Sequence, residues 1–281
     1  MRRTRLGKAA VVVGGVLIFL WCAIPVYWGL VVSLTTPIGL AAVPPHPVPE
    51  PLTFEYYRAL LNGQTVVSQT FLHAAENSVG ETVYATLLTI VLAIPAGYAF
   101  VRFRFRGSSA LFLLIVGTLS LPVYAVLIPL FQMMTGLGLT DTYTAVAVIN
   151  SSANLPLALW LLRSHIAALP VDIEDAARID GATRVATVTR ILLPLVAPGL
   201  ATVAVIVFLS SWSAFLIPLA FAPTIKAEPL TVIVTQYASK YAVDYGLQAA
   251  AGILAMLPPA VAVAWFNRHI LSGLVSGAVN A

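Results

Sequence analysis

The sequence predicts an all-α integral membrane protein with six transmembrane helices, and three observations carry that prediction. Of 281 residues only 15 are basic and 11 acidic, 59% are apolar, and the mean hydropathy is +0.93. A soluble domain carries about a quarter of its positions as charges, and a disordered chain combines low hydrophobicity with high charge. Uncharged windows at residues 9–49, 82–101, 107–140, 142–162, 191–225 and 245–267 can each hold one run of the roughly 20 apolar residues that cross a bilayer. With the N-terminus inside, Arg2, Arg3, Arg5, Lys8, Arg102, Arg104, Arg106, Arg163, Arg178, Arg184, Arg190 and Arg268 all fall on the cytoplasmic side, which is 12 of the 15 basic residues. Only Arg58, Lys226 and Lys240 fall outside, the bias expected when basic loops resist translocation. The reading is a multi-pass protein of the cell (inner) membrane with both termini cytoplasmic. Its net charge of +4 reflects topology, and no aromatic-basic interleaving points to nucleic acid.

The first span, about 9–34, follows four basic residues and exceeds the signal-peptide core of about 7 to 15 residues, so it is expected to stay uncleaved. Cys22 within it has no disulfide partner in the chain and reads as a small buried apolar residue. Pro37, Pro44, Pro45, Pro47, Pro49 and Pro51 then predict a stiff, extended external spacer. Phe54, Tyr57, Leu60 and Leu61 follow at the spacing of a short amphipathic helix at the outer surface, available to a partner or packed on the spans. The second span, 78–101, ends in Arg102-Phe103-Arg104-Phe105-Arg106-Gly107, a turn held in the headgroup layer. The third covers 111–134 and the fourth 143–163, where Asn150, Ser151, Ser152 and Asn154 cluster. Amides in hydrocarbon need partners, so these side chains either bond neighbouring helices or line a wet path. The fifth and sixth spans are expected at 197–221 and 247–267.

Leu169 to Pro194 is the longest cytoplasmic insertion and gathers four acids and three arginines. Asp172 is placed to cap a helix whose first turn holds Glu174 and Asp175 at its positive end. Ile173, Ala176, Ala177 and Asp180 then form a narrow face with small side chains, suited to insertion into a groove of another protein. Gly181 ends that helix. A second, short helix carrying Val185, Val188, Ile191 and Leu192 should follow and stop at Pro194, giving a helix-turn-helix shelf.

The run Glu174-Asp175-Ala176-Ala177-Arg178-Ile179-Asp180-Gly181-Ala182, with Ile191-Leu192-Leu193-Pro194 beyond it, resembles the EAA signature of permease subunits of bacterial ABC importers. Supporting stretches are Asn77-Ser78, Ala96-Gly97-Tyr98-Ala99-Phe100 and Leu155-Pro156, and they are similar to the maltose-type permease of the carbohydrate-uptake branch. The resemblance implies a single transmembrane permease domain over 1–281 with coupling helices at 172–192. Asp172, Glu174, Asp175, Ala176, Ala177, Asp180, Gly181 and Ala182 would couple to an ATPase, and Ser276, Gly277 and Ala278 of the C-terminal tail would touch the same partner. It also implies a second homologous permease subunit, a dimer of cytoplasmic ATPase subunits binding ATP and Mg, an extracytoplasmic substrate-binding protein, a sugar substrate and membrane lipid. The chain departs from the family pattern at Asp175, where Glu is usual, and at Trp212-Ser213-Ala214-Phe215, where relatives read Trp-Asn and an acid. Asn280 and Ala281 stand where Lys-Gly is the commoner ending.

The absences agree with a non-catalytic subunit. Lys8, Lys226 and Lys240 lie in no phosphate-cradling Gly-x-x-x-x-Gly-Lys-Ser/Thr arrangement. His46, His73, His165 and His269 are scattered, and neither a His-Glu-x-x-His zinc motif nor a Gly-x-Ser-x-Gly nucleophile turn occurs. No cofactor or metal is expected on this chain. The alternative is a gradient-driven carrier or channel, which would place an ion relay inside its spans. Here Glu76 and Glu81 read as lying at an outer end and Asp244 in an outer loop. Candidates for a translocation path are Asn150, Ser151, Asn154, Ser210, Ser211 and Ser213, with Trp212 as a stacking surface. The outer loops, including 221–246, would receive the solute.

Overall fold

The computed structural model describes the backbone of residues 5–103, 105–238 and 244–278, and their side chains apart from 5–10, 123 and 267–278. In chain order it contains α1 (Arg5–Ser33), α2 (Pro37–Leu40), α3 (Glu55–Leu61), α4 (Val66–Arg102), α5 (Ser108–Gly117), α6 (Val123–Gly136), α7 (Tyr143–Ala167), α8 (Asp172–Ile179), α9 (Arg184–Thr187), α10 (Leu193–Trp212), α11 (Leu216–Phe221), α12 (Leu230–Gln236) and α13 (Tyr245–Ala278). An isolated β-bridge joins Thr35 and Leu52. Five helices among the described residues are long and apolar enough to cross a membrane, or six if the bent α5–α6 pair counts as one.

That pair corrects the expectation of one continuous span at 111–134. A 3₁₀ turn, Thr118–Ser120, follows α5, and the chain bends by 102° before α6. Pro122 is the cause: it removes a donor and pushes Leu121 to an extended ψ of 128°. The fifth span is also displaced from 197–221. Its helical path begins at Arg184, passes through a π-turn at Val188–Leu192 and ends at Trp212. Pro194 therefore does not stop a separate shelf helix. The widened turn before it, closed by Leu193 N–H to Val188 O, leaves room for a ring that would otherwise strike the carbonyl four residues back. The break after Trp212 has the same origin, since Pro218 cannot bond to Ala214 O. That carbonyl instead accepts Thr231 Oγ1 at 2.9 Å.

The chain divides into two compact units. The first comprises residues 1–73 and 233–257. In it the proline-rich segment is not an extended spacer. Thr36 caps α2 through Gly39 N–H, and the loop returns so that Thr53 N–H reaches Leu34 O at 2.8 Å and Tyr27 O–H reaches Pro47 O at 2.5 Å. Helix α3 buries Tyr56 and Leu60, while Phe54 and Leu61 are exposed and Tyr57 shares a 2.7 Å hydrogen bond with Ser33. Cys22 is exposed, contrary to the buried reading, because no residue in the apolar stretch of α1 from Val11 to Trp28 is buried.

The second unit comprises residues 74–232 and 258–281, and two apolar clusters are found among its described residues. One joins α4, α7 and α10 through Ala93, Tyr98, Ala158, Leu162, Ile166, Val196, Val203 and Val207. The other joins α6, α7 and α11 through Met134, Val146, Ile149, Ile217 and Phe221. Gly199 brings α10 against the His165 ring of α7 so closely that a Cβ there would lie 2.5 Å from ring carbons.

Candidate functional site

The segment that the sequence places in the cytoplasm is built from α8 upward. Val171, not Asp172, is the N-cap, and no side-chain cap is made. Asp172, Glu174 and Asp175 instead sit in the first turn, where carboxylates favour the positive helix end. The other end closes as a Schellman motif. Gly181 N–H bonds Arg178 O at 3.0 Å and Ala182 N–H bonds Ala177 O at 2.9 Å, with Gly181 at φ +81°.

Burial divides the predicted coupling residues. Ala177 and Glu174 face inward, so the paired-alanine face predicted from the sequence is corrected. The outward stripe is Asp172, Asp175, Ala176 and Ile179, at i, i+3, i+4 and i+7, with Asp180 and Gly181 also exposed. Ile179 is 87% exposed and Val185 73%. Asp175 makes a 3.1 Å surface pair with Arg178, an interaction worth at most about 1 kcal/mol.

Glu174 has a different role from the one its place in the motif implies. Its carboxylate accepts Tyr98 O–H at 2.9 Å and is ion-paired with the Arg102 guanidinium. Arg102 Nη2 also donates to Leu169 O at 3.0 Å. Phe103 meets Tyr98 edge-on at 5.7 Å, and the Arg184 guanidinium lies 5.2 Å from the Phe103 ring centre. The end of α4 thus holds this segment before α8, on α8 and at the start of α9. Sequence reasoning missed this clamp. Its one signal was Glu174 three residues before Ala177, on the face that turns inward.

A cavity of about 350 Å³ in the second unit is lined by Asn150, Ala153, Asn154, Ser210, Ala214, Phe215, Leu216 and Ile217. It gathers three of the seven predicted path residues, Asn150, Asn154 and Ser210. Asn150 Nδ2 donates to Glu81 Oε1 at 2.6 Å, and Asn154 Nδ2 donates to Asn150 O at 2.8 Å. Ser151 is turned away to Thr89, 3.0 Å distant. Ser211 is buried, and its Oγ has no hydrogen-bond partner among the described residues. Ser213 Oγ donates to Leu209 O at 2.6 Å. Trp212 is 7% exposed and stacks on Phe208, so Phe215 is the aromatic side chain on the cavity wall. Glu81, read from the sequence as lying at an outer end, is buried within α4.

On the other flank, Asn77 Nδ2 reaches the carbonyls of Ile225, Lys226 and Glu228 at 3.2–3.4 Å, and Ser78 Oγ accepts Leu230 N–H at 2.8 Å. Asp141 accepts Thr224 N–H and Oγ1–H, at 3.2 and 2.5 Å. The loop after α11 is fixed at both ends, leaving Thr224, Ile225 and Lys226 exposed. Helix α13 carries the backbone through Ser276, Gly277 and Ala278, whereas Asn280 and Ala281, like Lys240, lie outside the described residues. Among the described residues no three His, Cys, Asp or Glu side chains converge as metal ligands.

Residues 85–275 match the family described as binding-protein-dependent transport system inner membrane component. The chain is 31% identical to the trehalose/maltose transport system permease protein MalG of Thermococcus litoralis, over 99% of each protein. It is 32% identical to the trehalose transport system permease protein SugB of Mycobacterium tuberculosis, over 83% of this chain and 84% of that one. Its fold is similar to a chain of a solved bacterial ABC transporter involved in the import of the acidic polysaccharide alginate, with a TM-score of 0.80 and 20% identity over 94% of this chain and 98% of that chain.

Proposed function

The chain belongs to the family of inner membrane components of binding-protein-dependent transport systems, and from that premise we propose that it is a permease subunit of a sugar importer driven by a separate ATPase. It supplies half of a translocation pathway, the other half coming from a second, homologous permease. A dimer of cytoplasmic ATPase subunits, holding ATP and Mg, docks on the outward stripe of α8 and on the C-terminal end of α13. An extracytoplasmic binding protein delivers sugar to the outer loops. Both termini are cytoplasmic, as the distribution of arginines supports.

The observation that carries this reading is α8 itself. It is a capped helix held at its base by α4, yet it presents Asp172, Asp175, Ala176 and Ile179 to the outside. Acids beside small and aliphatic side chains suit an apolar groove rimmed with basic residues. The path candidates Asn150, Asn154 and Ser210 offer amide and hydroxyl groups to sugar hydroxyls, with Phe215 as an apolar wall. Alternating exposure of such a site by rocking of helix sets is the mechanism to which this wall belongs. A gradient-driven carrier is the weaker reading: the carboxylate buried in α4, Glu81, has Asn150 as its bonding partner.

The test is gentle purification of the tagged chain from its native membrane, identification of stoichiometric companions by mass spectrometry and assay of ATP hydrolysis. Two ATPase copies with one further permease are expected, with hydrolysis stimulated by the liganded binding protein. A chain that is stable alone and transports without an ATPase would overturn the proposal.

A further inference from the structure

We infer that Arg102 and Glu174, with Tyr98, form a strut that carries displacement of the coupling segment into the membrane, and that α4 is the member it moves. The inference rests on the importer reading and names the path that the force takes through this chain. Three observations support it.

The first is the clamp. Glu174 has a side chain 1% exposed and Arg102 one 10% exposed, and the pair is completed by Tyr98 O–H and Leu169 O. A buried ion pair contributes little more to stability than apolar residues of the same volume. What it adds here is directional attachment: a two-pronged hold on α8 that resists both sliding and rotation, where small apolar contacts would let the helix slip. Arg184 on Phe103 extends the hold to α9.

The second is continuity. From Asn77 to Arg102 the chain is one helix, so the clamp and the outer loop are joined by roughly 37 Å of helix at 1.5 Å per residue. The third is what α4 grips along that length. Glu81 holds Asn150 on the cavity wall, Thr89 holds Ser151, and Asn77 and Ser78 hold the loop from Ile225 to Leu230. A pull on Glu174 therefore reaches the cavity and the outer loop through one continuous helix, which carries Pro95 between the clamp and the cavity wall. Arg102, Glu174 and Tyr98 are positioning residues in this scheme, since none of them faces the solute.

The experiment uses the full complex in nanodiscs, with Cys22→Ser and a single reporter cysteine introduced by Ser210→Cys on the cavity wall. The rate of maleimide labelling is compared with and without trapping by ATP and vanadate. In this parent, trapping is expected to change the labelling rate. In Glu174→Gln and in Tyr98→Phe the change should be lost although the ATPase still co-purifies and hydrolyses ATP, while Arg102→Lys, which keeps the charge, should retain it. A nucleotide response that survives Glu174→Gln, a parent without any response, or variants that lose the ATPase altogether would each overturn the strut. A parent complex that contains no ATPase would instead remove the importer reading beneath it.

Discussion

Substitutions at Gly181 can separate what the turn after α8 needs to fold from what the proposed ATPase partner would need to dock. The glycine's φ is +81°, and a Cβ built there meets no atom within 4 Å. The cost of a side chain inside this molecule is therefore backbone strain alone, about 1–2 kcal/mol for an L-residue in the left-handed region. Restricting the unfolded chain returns about 0.4–1 kcal/mol. Gly181→Ala should thus destabilise the isolated chain by about 1 kcal/mol, a fall in melting temperature of about 2 °C. Gly181→Asn should cost less, because asparagine tolerates this conformation, and Gly181→Val more, because of its branched Cβ. Docking should follow a different order. If the ATPase seats against Gly181 and the exposed residues beside it, asparagine, the larger side chain with the smaller strain, should reduce co-purification of the ATPase at least as much as alanine does. Thermal melts of the detergent-solubilised chain and pull-downs from the same membranes measure the two quantities separately. An alanine variant losing more than about 3 kcal/mol, well above the usual range for a single exposed substitution, would show that the space around Gly181 is not open. An asparagine variant with undiminished ATPase binding would show that the glycine serves the turn and not the partner.

Gly199→Ala should lower stability by about 1–3 kcal/mol through overpacking on His165, and combining it with His165→Ala should recover most of that loss; strictly additive melts would contradict the packing argument. Asn77→Ala removes the donor shared by Ile225, Lys226 and Glu228, at about 1–2 kcal/mol. Hydrogen exchange of the 224–230 amides should then rise while the α7 amides stay unchanged, and equal protection in the variant would deny the staple. Glu81→Gln should be close to neutral because an amide oxygen still accepts from Asn150, whereas Glu81→Leu should cost about 1–3 kcal/mol by stranding a buried donor; equal melts for the two would mean that the bond carries nothing.

The helical class, the polar cluster on α7 and the turn at Gly181 were legible because each follows from a local property: length of an apolar run, residue type, freedom at positive φ. The prolines were legible as interruptions but not in their effects. Pro122 breaks a span, Pro194 is absorbed by a π-turn, and Pro218 hands a carbonyl to Thr231. Which outcome occurs depends on whether a neighbouring group can accept or fill what the proline vacates. The proline-rich loop failed for the same reason, since Thr35 and Leu52 pair across it and a composition-based stiffness says nothing of such closure. At the candidate site the motif located α8 correctly but not its outward face. Ala176 and Ala177 are equivalent in sequence, and only the Glu174 clamp, set by residues more than 70 positions earlier in the chain, decides which alanine faces out.

The polar residues of the spans show the same dependence on distant partners, and it bears on function. Asn150 and Ser151 are adjacent on α7 and equally suited to a pore, yet Ser151 is spent on Thr89 while Asn150, held by Glu81, also borders the cavity. Both partners lie on α4. A helix that fixes the wall of a cavity through buried hydrogen bonds, and is itself gripped by the segment around α8, cannot move without changing that wall. The polar side chains that would meet a sugar hydroxyl and the side chains that would feel the ATPase are thus attached to one element, and the length of α4 sets the distance over which the two must act together.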